Sequence, residues 1–376
     1  MRILAFPKNK ISYNECFYQA IEAHGVEVLE GVFSGGWLVS NVRPGDWLHI
    51  HWPSFSYSVK QGKTRLIVRF FRFIALFVLA RLKGARVMWT AHNLLPHDRA
   101  AIPWLDVLGR QFIIRIASVV LVHGREAAAA LIERFPIATE KITLIPHGHW
   151  IGYYPATVSR GEARTKLDIA ESAFVYLFIG LCKPYKNLDG LVRAFRAHAQ
   201  GDILLIAGKF QDPAYHAEIV GLAGNDSRIR IHAEFIPDAE MQTFLLACDV
   251  VVVPYREILT SGTAMLAMSF GRPVVSIDRG FLRDVITAET GLLFPPDDPQ
   301  GLSRALVEAR EVRYDSERIL AHASQFSFEQ AAVSCIQALE KISGPVANPS
   351  LVSPERLPSQ SEVVSKVSGK VRRPPQ

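Results

Sequence analysis

The sequence predicts a two-domain α/β protein in which each domain is built on a doubly wound parallel sheet. Apolar, strand-like runs alternate with helical segments almost throughout the 376 residues. Strands that are apolar on both faces are typical of parallel sheets covered by helices on both sides. The chain is also long enough for two separate cores. We therefore expect two Rossmann-like domains that face each other across a cleft, where the carboxyl ends of the strands collect ligands.

The first predicted domain spans residues 1–160 and the second spans residues 161–342. The strands expected in the first are MRILAF, WLHIHW, ARVMWTAH, SVVLVHG and KITLIPHG, and those in the second are AFVYLFIG, DILLIAG, RIRIHAEF, DVVVVPY and PVVSID. Helical segments such as YNECFYQAIEAHG separate them, and the polar stretch WIGYYPATVSRGEARTKL is interpreted as the linker. Residues 343–376 are rich in Pro and Ser without a helical period, which predicts a disordered basic tail.

Charge is distributed unevenly along the chain. Residues 1–160 carry 19 Lys and Arg against 10 Asp and Glu, whereas residues 161–343 carry 18 against 24. No acidic residue lies between Asp46 and Asp98. Such asymmetry predicts an anionic partner for the first domain.

The segment KQGKTRLIVRFFRFIALFVLARLKGAR concentrates this positive charge around an apolar middle. Its uninterrupted apolar run, Phe73–Ala80, is too short to cross a bilayer, which needs about 20 residues. Two interpretations remain open: a buried helix with snorkelling arginines, or a helix that lies on an anionic membrane surface. Nucleic acid is a weaker candidate partner because the segment lacks interleaved polar residues that could read it.

Cysteine usage and the N-terminus both suggest a cytoplasmic protein. The four cysteines are scattered and form no CxxC pair, which argues against a disulfide framework and a zinc site. Lys8 and Lys10 interrupt the first apolar run, so the N-terminus lacks the apolar core of a signal peptide.

Two loops have the composition of phosphate-binding sites. In FIGLCKPYKNLDG a strand ends at Gly180, and Lys183 and Lys186 follow before the next helix. Such lysines could neutralise a diphosphate, or they could simply be solvated. In VVVVPYREILTSGTAM small residues precede an apolar helix. They could present helix-start N–H groups to an anion or serve as an ordinary N-cap.

In this order, the strand–loop–K-N–helix segment, LLIAG, EFIPDAEM, ACDVVVVP and GRPVV resemble the donor domain of group 1 (family-4-like) glycosyltransferases of the GT-B fold. WTAHNLLPHDR and KITLIPHG resemble parts of the acceptor domain of those enzymes. The resemblance covers roughly residues 1–342 and is nearest to the branch that assembles bacterial exopolysaccharides and lipid-linked glycans. It implies that a C-terminal helix returns to the first domain.

The resemblance also implies the roles of individual donor-site residues. The donor diphosphate would be bound by the loop that begins at Gly180, with Lys183 and Lys186, and by the helix start at Ser261, Gly262 and Thr263. The nucleobase pocket would be lined by Glu234, Phe235 and Ile236. The chain contains no Asp-x-Asp sequence, so we expect a metal-independent reaction with no cofactor besides the nucleotide-sugar substrate.

Three residues are candidates for catalysis. His92 could orient the donor sugar or act as a base, and Asp98 is a candidate base if the enzyme inverts the anomeric carbon. Glu257 lies near the first of two glutamates usual in the family, and Leu266 occupies the second position. His49 and His51 are predicted to be packed strand histidines.

The predicted function is transfer of a sugar, with mannose as one candidate, from a nucleotide sugar to a lipid-linked oligosaccharide or another membrane-proximal acceptor on the cytoplasmic face of the membrane. This places the protein in polysaccharide biosynthesis as a peripheral membrane enzyme. Two alternatives are a sugar-nucleotide epimerase of the same fold and a catalytically silent scaffold subunit.

Overall fold

The computed structural model describes residues 1–9, 11–58, 62–98, 100–197 and 202–344. The chain divides into two compact units: Met1–Pro146 together with the chain from Phe328 onward, and His147–Ser327. Apart from its first two residues, the predicted C-terminal tail lies outside the described residues.

The first unit contains a six-stranded parallel sheet in the order β2-β1-β3-β4-β5-β6. Its strands are β1 (Arg2–Phe6), β2 (Glu27–Glu30), β3 (Trp47–Ile50), β4 (Arg86–Thr90), β5 (Val119–His123) and β6 (Ile142–Ile145). The helices between them are α1 (Ser12–Ala23), α2 (Gly35–Asn41), α3 (Lys63–Leu82), α4 (Pro103–Ile116) and α5 (Arg125–Arg134), with short 3-10 turns at Pro53–Ser56 and Thr139–Lys141.

The second unit repeats this architecture with the sheet order β12-β11-β10-β7-β8-β9, again all parallel. Its strands are β7 (Val175–Ile179), β8 (Ile203–Ala207), β9 (Ile229–His232), β10 (Val250–Val253), β11 (Val274–Ile277) and β12 (Gly291–Phe294). Its helices are α6 (Arg160–Lys166), α7 (Leu188–Ala197), α8 (Pro213–Ala223), α9 (Asp238–Ala247), α10 (Gly262–Ser269), α11 (Leu282–Val285), α12 (Gly301–Glu311) and α13 (Ser316–Ser324), with a 3-10 turn at Pro184–Lys186.

The last helix, α14 (Phe328–Ser343), packs on the first unit. The ring of Phe328 lies 5.4 Å from that of Tyr13, and the thiol of Cys335 contacts the sulfur of Met88 at 3.5 Å. The predicted return of the C-terminal helix to the first domain is therefore confirmed, as are the two parallel α/β sheets.

The division between the units differs from the predicted boundary near residue 160. The chain joins the second unit at His147, because the backbone N–H of His149 donates to the carbonyl of Phe326 at 2.7 Å and that of Trp150 donates to Ser269 at 2.9 Å. Part of the predicted linker is helix α6, which begins with a reciprocal capping box between Ser159 and Glu162. The polar composition that suggested a linker reflects this capped, half-exposed helix.

Each sheet reverses its strand order once, and these reversals position the candidate sites. The reversal lies between β1 and β3 in the first sheet and between β7 and β10 in the second. In open α/β sheets, the loops at the carboxyl ends of the two strands flanking such a reversal diverge and leave room for a ligand.

Candidate functional site

At the reversal in the second sheet, the loop after β7 carries a buried cation. Lys186 is only 8% exposed, and its Nζ atom lies 5.5 Å from the ring centre of Phe178 and 5.1 Å from that of Tyr255. Burial lowers the pKa of its ammonium group, and the groups that oppose this shift are Tyr185 and Cys182 rather than a carboxylate. A buried charge without an opposite charge is costly and often marks a functional site.

Gly180 leaves open the space in front of this ammonium group. Its φ of +119° is a conformation that residues with side chains rarely adopt. A Cβ atom at this position would stand 3.4 Å from Lys186 Nζ and 3.8 Å from Thr263 Oγ1. The ammonium and the hydroxyl therefore border one small space next to the Gly180 backbone.

Thr263 and its neighbours form the start of α10, which follows β10. Tyr255 donates a hydrogen bond to Thr263 Oγ1 at 3.2 Å, and Ser261 Oγ accepts the backbone N–H of Ala264 at 3.2 Å. Ser261 is thus an N-cap. The N–H groups of Gly262 and Thr263 belong to the first turn, where a helix supplies them with no partner of its own.

Gly262 also packs closely against an aromatic residue at this turn. A Cβ atom on it would lie 3.1 Å from the indole ring of Trp150. The Cα of Gly262 thus faces an aromatic side chain, while its backbone N–H belongs to the first turn of α10.

The loops after β7 and β10 are tied to each other by four polar contacts. Asn187, which has a left-handed φ of +59°, donates to the carbonyl of Pro254 at 3.0 Å, and the N–H of Arg256 donates to Tyr185 at 2.9 Å. The guanidinium of Arg256 also pairs with Asp189 at 2.6 Å and donates to Pro184 at 2.5 Å. These contacts hold the buried lysine and the start of α10 in a fixed relation.

The remaining predicted donor-site residues lie at the same carboxyl edge of the sheet or on its loops. Glu234 and Phe235 are exposed and Ile236 is buried in the loop after β9, the edge strand, two strand spacings or about 10 Å from β7. Phe235 is 66% exposed, an unusual position for a large apolar ring. Lys183 is half-buried at the start of the 3-10 turn.

Two further positions correspond to the pair of glutamates that is usual in the family, and they lie in different environments. Glu257 is exposed in the loop between β10 and α10, and Leu266 is buried on α10. Leu266 therefore packs in the hydrophobic core.

In the first unit, the histidines at the ends of β3 and β4 form one hydrogen-bonded chain. The Tyr18 hydroxyl lies 2.7 Å from His49 Nδ1 and 2.8 Å from His51 Nε2. His49 Nε2 lies 2.8 Å from Thr90 Oγ1, and His51 Nδ1 lies 2.9 Å from His92 Nε2. Burial lowers the pKa of both His49 and His51 well below the ordinary value, so these two imidazoles are neutral.

Aromatic rings enclose His92, the predicted catalytic residue. The Trp52 ring stacks on it at 4.6 Å, and the Tyr13 ring meets it edge-on at 5.0 Å. His92 itself is half-buried. Throughout the described residues, no group of three or more His, Cys, Asp or Glu side chains is arranged to hold a metal ion.

Asp98 and His97 are exposed and lie further along the loop that carries His92. His49 lies in β3 and His51 directly follows its end. Both are buried, as the sequence suggested, and they are also the partners that connect Tyr18 to His92. Sequence analysis missed Tyr18 and Thr90. The only available signal was the matching spacing of His49-x-His51 and Thr90-x-His92, which puts each pair on one face of its strand.

Helix α3 presents an apolar stripe to solvent. The exposed residues spaced three or four apart along its length are Thr64, Val68, Phe71, Ala75, Val78 and Leu82. Phe71 is 64% and Leu82 is 81% exposed. By helical geometry, Arg65 and Arg72 border the stripe on one side and Lys63 and Arg81 border it on the other. In the part of the chain that the structure describes, no helix is both long enough and apolar enough to span a membrane.

This fold is that of known glycosyltransferases. The structure is similar to sucrose-phosphate synthase from Thermosynechococcus elongatus, with a TM-score of 0.67, 19% identity and coverage of 91% of this chain and 98% of that one. It is also similar to HepE from Anabaena in complex with UDP-glucose, with a TM-score of 0.68, 15% identity and coverage of 92% and 99%. These similarities identify the fold of this chain as GT-B.

The sequence comparisons point to the same family. Residues 173–311 match the family model for Glycosyl transferases group 1. The chain is 27% identical over 238 residues to the GDP-mannose:glycolipid 4-beta-D-mannosyltransferase of Xanthomonas campestris pv. campestris, covering 61% of each protein. It is 26% identical over 226 residues to the D-inositol 3-phosphate glycosyltransferase of Streptosporangium roseum, covering 57% of this chain and 52% of that one. The two matches thus cover 61% and 52% of the relatives' own lengths. The predicted resemblance to a group 1 glycosyltransferase of the GT-B fold is confirmed.

Proposed function

We propose that this protein transfers a hexose from a nucleotide sugar to a lipid-linked oligosaccharide. The observation that carries the proposal is the buried, uncompensated ammonium of Lys186 next to the open space at Gly180. A nucleoside diphosphate would supply the missing negative charge. The Thr263 hydroxyl and the first N–H groups of α10 would bind the same phosphates.

The reaction would proceed by displacement at the anomeric carbon. An acceptor hydroxyl oxygen forms a bond to that carbon while the bond from the carbon to the diphosphate oxygen breaks, and its electron pair leaves with the diphosphate. Lys186 and the helix start stabilise this growing charge, so the reaction needs no metal ion. His92 accepts the proton of the acceptor hydroxyl. The nucleobase would rest on the loop of Glu234, Phe235 and Ile236.

We propose GDP-mannose as the donor and a glycolipid as the acceptor. The support is the activity of the Xanthomonas relative, a GDP-mannose:glycolipid mannosyltransferase that is 27% identical to this chain. UDP-glucose, bound in the Anabaena structure, is the competing donor. Glu257, in its exposed loop, is our candidate for contact with the transferred sugar, and Lys183 for additional contact with the diphosphate.

We also propose that the first unit binds the anionic inner surface of the plasma membrane through α3. An apolar stripe edged by cations suits the boundary between headgroups and acyl chains, where rings insert and basic residues meet lipid phosphates. The absence of acidic residues from position 47 to 97 removes local repulsion. This interpretation would place a peripheral enzyme of exopolysaccharide assembly at a membrane-borne acceptor.

The donor site is tested with Lys186→Met, which keeps the buried aliphatic stem and removes the charge. Thermal shift is measured with GDP, UDP, ADP and dTDP, and transfer is measured with GDP-mannose and a polyprenyl-diphosphate glycan. Lys166→Met is the matched control, since Lys166 is an exposed lysine of the same unit that pairs with Glu240. A nucleotide at 100 times its Kd should add about 2.7 kcal/mol to the wild type and to the control, but not to Lys186→Met.

Each other outcome has a definite meaning. Nucleotide stabilisation that survives in Lys186→Met contradicts the donor site. A new sugar nucleotide formed without any acceptor would replace the transferase with an epimerase. If no nucleotide stabilises the wild type, the protein is a silent scaffold and the donor-site assignments fall.

A further inference from the structure

We propose that Tyr18 and Thr90 are positioning residues that decide which ring nitrogen of His92 carries its proton. The inference rests on the proposed function, in which His92 is the base. Neither residue touches His92. They act through His49 and His51, which connect them to it by hydrogen bonds.

The geometry makes the protons of this chain interdependent. Every link from Thr90 through His49, Tyr18 and His51 to His92 is 2.7–2.9 Å long, so each link holds one proton. A neutral imidazole has one N–H and one lone pair, and a phenol has one O–H. Once one link has a direction, the directions of the others follow.

The buried Tyr18 hydroxyl must also donate its own proton along one of its two links, and only two arrangements then satisfy all four links. In the first, Tyr18 donates to His49 Nδ1, and His49 Nε2–H donates to Thr90. Tyr18 then accepts from His51 Nε2–H, and His51 Nδ1 accepts from His92 Nε2–H. His92 therefore has its lone pair on Nδ1.

In the second arrangement every direction is reversed. Thr90 donates to His49 Nε2, His49 Nδ1–H donates to Tyr18, and Tyr18 donates to His51 Nε2. His51 Nδ1–H then donates to His92 Nε2, which leaves the proton of His92 on Nδ1. In this state His92 cannot accept a proton at Nε2 without breaking its bond to His51.

The chain adopts the first arrangement when His92 acts as a base. His92 can then take a proton at Nδ1 and become an imidazolium that still donates from Nε2 to His51. The wrong tautomer of a catalytic histidine is costly, as in serine proteases that lose the orienting partner of their histidine.

Other titratable groups lie around this hydrogen-bonded chain: Tyr13 contacts His51 and His92, and the charges of Cys335, Tyr13 and Glu30 act on Tyr18. Tyr18 and His49 are fully buried, and His51 is 1% exposed. The groups packed around them are aromatic: Phe17 against Tyr18 and His49, and Tyr13 against His51, His92 and His123. The charges that act on the two imidazoles are those of other histidines: His92 acts on His49, and His49 and His123 act on His51.

The sharpest test is at Thr90, four links from the N–H of His92. Thr90→Val keeps the shape of the side chain but removes the oxygen that accepts His49 Nε2–H. A buried N–H without a partner is less tolerable than a buried lone pair, so the chain should reverse to the second arrangement. Thr90→Ser retains the oxygen and is the matched control.

Histidine tautomers are read from long-range ¹H–¹⁵N NMR spectra of the full-length, ¹⁵N-histidine-labelled protein. We expect His49, His51 and His92 all protonated at Nε2 in the wild type and in Thr90→Ser, and all protonated at Nδ1 in Thr90→Val. Transfer should fall about tenfold in kcat in Thr90→Val, with the donor KM unchanged.

Tyr18→Phe removes the hydroxyl proton that couples the Thr90–His49 part of the hydrogen-bonded chain to the His51–His92 part. His51 and His92 should then populate both tautomers, and the acidic limb of the pH profile of kcat should move. Tyr57→Phe is its control, because it removes another buried hydroxyl of the same unit, one that donates to Asp106 at 3.3 Å.

The proposal is overturned if the tautomers of His51 and His92 are the same in wild type, Thr90→Val and Tyr18→Phe. Loss of folding in Tyr18→Phe is separated from this outcome by the Thr90 pair. If the tautomers change as expected but no variant, wild type included, transfers sugar, the coupling stands and the proposed function fails.

Discussion

The ammonium of Lys186 lies 5.1 Å from the ring centre of Tyr255, whose own hydroxyl donates to Thr263 at the start of α10. One aromatic residue thus contacts both the buried cation and the helix start. The cation–π interaction partly offsets the desolvation of the charge. It does not replace a counter-ion, which is why the site is suited to bind an anion.

Without ligand, Lys186→Met should be as stable as the wild type or more so. The substitution removes a desolvated charge that has no carboxylate partner among the described residues, and methionine fills a similar volume. We expect the free energy of unfolding to be unchanged or higher by up to about 1 kcal/mol, measured by urea denaturation. A loss of more than about 2 kcal/mol would mean that the ammonium has a structural role.

Gly180→Ala should damage binding through both strain and obstruction. Alanine is strained at a φ of +119°, at a cost of about 1–3 kcal/mol, and its methyl group would fill the space beside Lys186 Nζ. Isothermal titration with the nucleotide that stabilises the wild type should show at least about tenfold weaker binding. Gly221→Ala is the matched control, because Gly221 lies on α8 with open space around it, and it should bind normally. Wild-type affinity in Gly180→Ala would refute the location of the phosphates.

The stripe on α3 predicts lipid binding that depends on both rings and charges. Phe71→Asp with Leu82→Asp should abolish flotation with phosphatidylglycerol vesicles, while Val307→Asp on α12, another exposed apolar position, should not. Arg65→Gln with Arg72→Gln should weaken binding about 30-fold, since each basic residue near an anionic surface contributes about 1 kcal/mol. If the aspartate variant instead converts an oligomer to a monomer and the wild type never floats, α3 is a protein interface.

Acid should destabilise the second unit partly through His147. Burial lowers the pKa of His147 to about 4, although the Gly148 carbonyl, which accepts from Nδ1, opposes the shift. Between pH 6.5 and 4 the unfolded chain binds a proton at His147 that the folded unit does not. As the pH falls through this window, His147 alone lowers the free energy of unfolding by about 1.4 kcal/mol per pH unit. Above pH 6.5 His147 is neutral in both states, and this loss of stability is absent. Urea denaturation of His147→Asn across pH 4–7.5 should show a shallower decline, and a slope equal to that of the wild type would exclude this effect.

The sequence patterns predicted the sheets well because each strand carries its own signal. Runs such as Val250–Val253 are apolar on both faces and need no distant partner to be recognised. Two edge strands were missed for the opposite reason: β2 reads Glu-Val-Leu-Glu and β12 begins with glycine. The resemblance pointed to Lys186 and the start of α10, but burial and the absence of a carboxylate partner depend on the fold.

The histidine chain could be predicted only in part. Spacing places His49 and His51 on one face of β3, yet the residue that joins them, Tyr18, comes from α1 and nothing in its local sequence distinguishes it. Gly262 could also be predicted only in part. Its place at a helix start predicts a role in phosphate binding, which stays a prediction, but its packing against Trp150, more than a hundred positions away in the chain, depends on the fold.

The return of α14 to the first unit also sets an order of events during synthesis. The second unit is one continuous stretch, His147–Ser327, and all of it leaves the ribosome before Phe328 does. Until then the first unit lacks the helix that covers Tyr13 and Met88. The half of the protein that is made first is therefore completed last, and a chain truncated after Ser327 would contain every residue of the second unit but lack the helix that completes the first.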